Sequence, residues 1–192
     1  AALKRYCKIQ GCRHRFPETR WEGKSVSTDN IFSFIPSNSR PPKPRSIGIT
    51  EIRGPYYTVF GANYLEDILS TMGEHVDSLK FAGGSFTLMP GQELRRIIDT
   101  CHRHDVLVST GGFMEYVLLH GPGIVERYVE TCAEAGFDIL ELSTGFISIP
   151  VDDMLRLIEK VQGAGLKAKP EIGIQFGAGG ASRPEELEAE GL

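Results

Sequence analysis

The sequence contains no run of about 18 apolar residues, so it supplies no membrane-spanning helix. Four cysteines in 192 residues are too sparse for a disulfide-stapled scaffold. Soft metal ligands crowd at one place, Cys7, Cys12 and His14. Their spacing is wider than a Cys-x2-Cys knuckle and lacks a fourth ligand, which argues against zinc. No continuous apolar segment follows the first basic residues, so no secretory signal is visible. The net charge of −4 gives no reason to expect nucleic acid or a membrane surface as partner. What remains is an ordinary globular composition, 41% hydrophobic and 24% charged, sufficient for one core.

The charge is unevenly placed. Residues 1–45 carry ten Lys or Arg and three Asp or Glu, whereas residues 46–192 carry eleven and twenty-two, a net −11. The chain therefore reads as a basic, irregular and disordered leader over 1–45, followed by a folded domain over 46–192. The boundary falls at the proline run Pro41-Pro42-Lys43-Pro44. Within the leader only Phe32, Phe34 and Ile35 form an apolar cluster. The first residue is Ala, which reads as a missing or processed start. A basic, serine-containing, acid-poor leader suits an organelle transit peptide. The expected location is cytoplasmic, or mitochondrial if the leader is such a peptide.

The domain repeats. Four segments place apolar residues at i, i+3, i+4 and i+7, the signature of an amphipathic helix. They are Leu65/Ile68/Leu69/Met72, Leu94/Ile97/Ile98/Cys101, Val125/Tyr128/Val129/Cys132 and Met154/Leu157/Ile158/Val161. Their last members are 29, 31 and 29 residues apart. Short apolar runs of strand character follow each helix, at Val76–Phe81, Val106–Ser109, Asp138–Leu142 and Leu166–Ile174. Another, Ser46–Ile52, precedes the first helix. Strand and helix alternating at this period predict βα units and a parallel sheet. Either an open doubly wound sheet or a (β/α)8 TIM barrel accommodates them. The 147 residues after Arg45 amount to five units, so a barrel would have about three more outside this chain.

Polar residues concentrate at the strand ends, where parallel α/β folds hold their ligands. Residues two apart on a strand share a face. This places Glu51 with Arg53, Glu141 with Ser143, and Lys167 with Lys169 and Glu171. Lys80, between Leu79 and Phe81, is costly to bury unpaired and is the leading functional candidate. Gly83, Gly84, Gly111 and Gly112 open turns whose N–H groups could cradle an anion such as phosphate. Glu141 and Glu171 are hard oxygen ligands suited to Mg²⁺; the competing reading is internal ion pairing with Lys80 or Lys169. Cys101 and Cys132 lie on apolar helix faces and read as core thiols. Met72, Met89, Met114 and Met154 read as packing.

The order of motifs resembles the phosphosulfolactate synthase family, which includes heat-stress-associated proteins of plants and fungal relatives. The residues carrying the resemblance begin with Gly48-Ile49-Thr50 and Val76-Asp77-Ser78-Leu79-Lys80-Phe81, with Gly84-Ser85. Val108 with Gly111-Gly112 follows, then Gly136 through Ser143, then Gly165-Leu166 through Glu171-Ile172-Gly173. The match covers about Arg45–Gly180 and leaves out the leader. The resemblance implies a TIM barrel, here its first five units, and a Mg²⁺-dependent lyase adding sulfite to phosphoenolpyruvate. With that chemistry the strand-end residues sort into Lys80 and Lys169 as catalytic candidates, Glu141 and Glu171 as candidate metal ligands, and Arg53, Gly83, Gly84, Ser109, Gly111, Gly112 and Ser143 as candidate contacts to a small phosphorylated carboxylate substrate. Homo-oligomerisation is a further expectation. The chain departs from the archaeal-type pattern at Glu51-Ile52-Arg53, at Thr144, and at Ile174 and Gln175, where the family's suspected proton-donating lysine stands. A glutamine is no general acid, so Lys80 or Lys169 must supply the proton, or sulfite addition is absent. The alternative function is a non-catalytic, stress-associated or ligand-binding protein on the same scaffold.

Overall fold

The computed structural model describes residues 31–36, 39–54, 60–145 and 147–171, and the backbone of 176–177 and 180–181. Cys7, Cys12, His14, most of the basic leader, Ile174 and Gln175 lie outside the described residues. The chain divides into two units, Ala1–Pro41 and Pro42–Leu192. In the first, the Ile35 amide donates to the Phe32 carbonyl at 2.9 Å. The Phe32 and Phe34 rings lie 6.3 Å apart, and both are exposed, as are Ile31 and Ile35.

The second unit is an α/β fold built on a five-stranded parallel sheet. In chain order it runs β1 (Glu51–Arg53), α1 (Ala62–Met72), β2 (Ser78–Lys80), α2 (Gly91–Arg103), β3 (Leu107–Ser109), α3 (Met114–Leu118), α4 (Pro122–Ala135), β4 (Ile139–Leu142), α5 (Val151–Gly163) and β5 (Lys167–Pro170). The strands lie in the order β1-β2-β3-β4-β5. A two-residue antiparallel pair, β6 (Phe176–Gly177) and β7 (Gly180–Ala181), follows. The strands are shorter than expected: Ser46–Thr50 precede β1, and Glu171 falls outside β5. No helix among the described residues is long and apolar enough to cross a membrane.

The four amphipathic segments are α1, α2, α4 and α5, and their ends follow local chemistry. Pro122 opens α4, where its missing N–H costs nothing. Gly136 closes α4 at φ 97°, a left-handed cap that suits glycine. Asp152 and Asp153 begin α5 and Lys160 lies in its last turn, matching the helix dipole. Helix α3 and the 3₁₀ turns at Gly73–His75 and Ser85–Leu88 are too short to show a sequence period. Met72 departs from its expected packing role: as the last residue of α1 it is 53% exposed.

Strand register sorts the sheet into two chemically distinct faces. Ile52, Leu79, Val108, Leu140, Leu142 and Ala168 share one face. They join the helix residues Leu65, Ile97, Cys101, Val129, Cys132 and Val161 in one core. Burial pushes both Cys101 and Cys132 thiols up to about 12, so they are inert core residues as expected. The other face, called inner below, carries Glu51, Arg53, Ser78, Lys80, Ser109, Glu141, Lys167 and Lys169.

The strand starts are tied by two aspartates. Asp77, before β2, accepts the Thr50 amide at 2.8 Å and Arg45 Nη1 at 2.8 Å. Asp138, before β4, accepts the Val108 amide at 2.7 Å and lies 2.9 Å from His102 Nε2. Lys43 Nζ donates to the carbonyls of Gly73 (3.0 Å) and His104 (2.9 Å), at the carboxyl ends of α1 and α2. Lys43 and Arg45 thus belong to the folded unit. The structural division at Pro41/Pro42 lies four residues before the boundary read from charge.

Candidate functional site

The inner face gathers four charged side chains from four strands. Lys80 Nζ, on β2, lies 2.5 Å from Glu141 Oε2 on β4, with the two side chains 15% and 3% exposed. Lys169 Nζ, on β5, lies 3.4 Å from the same oxygen and 2.8 Å from Glu51 Oε1 on β1. Ser78 Oγ donates to Glu51 Oε2 at 3.0 Å. Burial pulls the Lys169 ammonium down, but the hydrogen bond and charge of Glu51, joined by Glu141, outweigh it. Its pKa is raised above the ordinary lysine value.

Of the residues singled out in the sequence, Lys80, Lys169 and Glu141 meet directly. Ser109 is the register partner of Lys80 and is fully buried. Ser143 lies two residues beyond Glu141 and is also buried. Neither serine hydroxyl has a hydrogen-bond partner among the described residues. Gly112 lies over Ser143 and Glu141: a Cβ there would be 3.4 Å from Ser143 Cβ and 3.5 Å from Glu141 Oε1. Arg53 is exposed beyond Glu51 and forms no ion pair among the described residues.

Other candidates have structural occupations. Gly84 lies against the Phe113 ring, and Gly111 lies against the Phe81 carbonyl. Phe113 belongs to an aromatic cluster with Phe86, at 5.9 Å, and Tyr128, at 6.0 Å. Burial, then the neighbouring Cys132 and more weakly Glu141, raises the Tyr128 hydroxyl pKa well above its usual value. Thr110 and Cys132 lie close to this hydroxyl without a well-formed hydrogen bond. Glu171 sits just past β5, its amide donating to the Leu142 carbonyl at 2.9 Å and its carbonyl accepting Thr144 Oγ1 at 2.5 Å.

Glu141 already faces two ammonium groups, and among the described residues no three of His, Cys, Asp and Glu gather around one point. Magnesium takes one or two carboxylates plus waters and substrate oxygens, and the two ammonium groups compete with it for Glu141. The arrangement favours an anion. Arg53, Lys80, Lys167 and Lys169 outnumber Glu51 and Glu141 on the inner face, in a domain whose sequence is net −11.

Sequence reasoning missed Glu51 and Ser78 as members of the cluster. Glu51 was legible as a charge at a strand end, but its partner Lys169 lies 118 residues away.

Comparison with known proteins points to one family. The chain is 42% identical over 144 residues to Protein HEAT-STRESS-ASSOCIATED 32 of Arabidopsis thaliana, covering 75% of this chain and 50% of that protein. It is 29% identical over 146 residues to a phosphosulfolactate synthase of Methanothermobacter thermautotrophicus, covering 75% and 54%. A phosphosulfolactate synthase of Methanocaldococcus jannaschii is 23% identical over 111 residues, covering 57% and 43%. The chain thus spans about half the length of the curated relatives it matches. Because residues 38–190 match the family described as (2R)-phospho-3-sulfolactate synthase (ComA), and these residues include every strand of the inner-face cluster, the chain belongs to the phosphosulfolactate synthase family.

Proposed function

We propose that the inner face binds a small phosphorylated carboxylate and adds sulfite to it. This is the work of a carbon–sulfur lyase acting on phosphoenolpyruvate or a related phosphorylated enol acid. The observation carrying this reading is the positive inner face centred on Lys80, Glu141 and Lys169. The five units are read as part of a (β/α)8 barrel, in which β1 and β5 face each other across the interior.

The chemistry asks for what these residues supply. Sulfite forms a C–S bond to the methylene carbon, and the double-bond electrons move onto the adjacent carbon and its carboxylate. Lys80 and Lys169 stabilise that developing charge. A proton must then reach the adjacent carbon. Lys169, held protonated between two carboxylates, delivers it and is reprotonated from solvent. No step is assigned to magnesium.

The test uses the full-length protein with phosphoenolpyruvate and sulfite, following the sulfonated product by mass spectrometry. Lys80→Met should raise KM, and Lys169→Met should lower kcat. Absence of both phosphoenolpyruvate binding and turnover would overturn the reading. A second reading, a ligand-binding protein without turnover, is favoured by Ile174 and Gln175 standing where the family's lysines are expected. Binding without product would support it.

A further inference from the structure

Three of the four strand-end glycines are explained by the fold. Gly83 and Gly84 have φ of 58° and 72°, and a Cβ on Gly84 would come within 2.1 Å of the Phe113 ring. Gly111 has φ 65°, and a Cβ there would lie 1.8 Å from the Phe81 carbonyl oxygen. All three occupy conformations that side chains rarely adopt.

Gly112 has neither reason. Its φ lies outside the left-handed region, and an added Cβ would meet only ordinary contacts, at 3.4 Å to Ser143 Cβ, 3.5 Å to Glu141 Oε1 and 3.7 Å to Ser143 Oγ. Packing does not demand glycine here. The space its missing side chain leaves is bounded by two polar groups. Ser143 is 2% exposed, and its hydroxyl forms no hydrogen bond among the described residues. A buried hydroxyl left unsatisfied is destabilising, so such groups call for an explanation. Glu141 Oε1 faces the same space, while Lys80 and Lys169 hold the other oxygen, Oε2.

The geometry points to a cradle formed by Gly112, Ser143 and Glu141 that takes an oxyanion still carrying a proton: hydrogen phosphate, free or as a phosphomonoester monoanion. This rests on the reading of the inner face as an anion site, and deepens it. An ionised carboxylate only accepts hydrogen bonds, so the atom against Glu141 Oε1 must donate one. Ser143 donates to a second oxygen of the same group. Lys80 and Lys169 supply the balancing charge and disfavour an ammonium ligand. Sulfate has no hydrogen to offer at neutral pH, and would set oxygen against carboxylate oxygen.

Calorimetric titration of the full-length protein with inorganic phosphate, sulfate and phosphoenolpyruvate tests the cradle. Phosphate and phosphoenolpyruvate should bind, and sulfate should bind at least about tenfold more weakly. Glu141→Gln, whose amide can donate to sulfate, should narrow that gap. Gly112→Ala and Ser143→Ala should each weaken phosphate and phosphoenolpyruvate about tenfold. Neither should lower the ligand-free melting temperature, because the first fills space and the second removes an unsatisfied hydroxyl. Should Glu141→Gln fail to fold, the other two variants decide. Sulfate binding equal to phosphate in the unaltered protein would overturn the selectivity. Phosphoenolpyruvate binding untouched by Gly112→Ala and Ser143→Ala would overturn the cradle while leaving the substrate reading intact. Absence of phosphoenolpyruvate binding to the unaltered protein would overturn both.

Discussion

Glu51 and Lys169 meet at 2.8 Å although β1 and β5 are the two edges of the five-stranded sheet. In a flat sheet, four strand spacings of about 4.8 Å would hold those strands about 19 Å apart. The sheet is therefore curved strongly enough for opposite edges to reach each other with two side chains. The polar face lies on the inside of that curve.

The brace has a pH signature. The folded Lys169 pKa is raised, so its contribution to stability is fully present below the unfolded lysine value of about 10.4 and is lost as pH rises through the folded value. Glu51 is the main raising partner. Glu51→Gln should remove much of this alkaline dependence, seen as a flatter profile of melting temperature above about pH 10. Identical profiles for both proteins would show that the pair does not form in solution.

Glu141 is the more buried partner of its pair, at 3% against 15% for Lys80. Glu141→Ala leaves an ammonium in a site with little water, at a cost of about 3–5 kcal/mol. The double change Lys80→Met with Glu141→Leu removes both charges and should cost less than the single one. Chemical denaturation measures both. A double variant as unstable as the sum of its two parts would contradict direct pairing.

The segment Pro42–Thr50 anchors the strand starts through Lys43, Arg45 and the Thr50 amide. Deleting Ala1–Arg40 from the full-length protein should leave the melting temperature nearly unchanged. Extending the deletion through Arg45 removes the Lys43 and Arg45 contacts and should lower it by several degrees. Arg45→Met should reproduce part of that drop, because Asp77 then keeps its charge with one partner fewer.

Gly111→Ala should destabilise by on the order of 3 kcal/mol or more, through a strained φ and a backbone collision. Its neighbour Gly112 should tolerate alanine in the ligand-free protein. Of two adjacent glycines, one would thus lose stability and the other keep it in the same thermal-shift experiment.

Gln175→Lys restores the position where the family's suspected acid stands. It should raise the rate of sulfite addition if the lysine cluster is otherwise competent. A single-turnover assay with phosphoenolpyruvate and sulfite measures this. No gain, with binding retained, would favour the ligand-binding reading.

The four main helices and the alternation of strand with helix were legible in the sequence because each is encoded within a window of ten or so residues. Apolar spacing in Val125, Val129 and Cys132 demands one buried helix face whatever the surroundings. The polar strand ends were legible for the same local reason, since a lysine between Leu79 and Phe81 needs a partner. Which partner it takes is not a local property. Glu141 reaches Lys80 across two strand spacings because register puts both on one face, and Glu51 reaches Lys169 across 118 residues only because the sheet curves. Gly111 and Gly112 are identical letters; one is fixed by the Phe81 carbonyl and the other leaves space over Ser143. Sequence thus determined the elements and the chemical types at the strand ends. Sheet curvature and register decided which charges neutralise one another and which buried hydroxyls have no hydrogen-bond partner among the described residues.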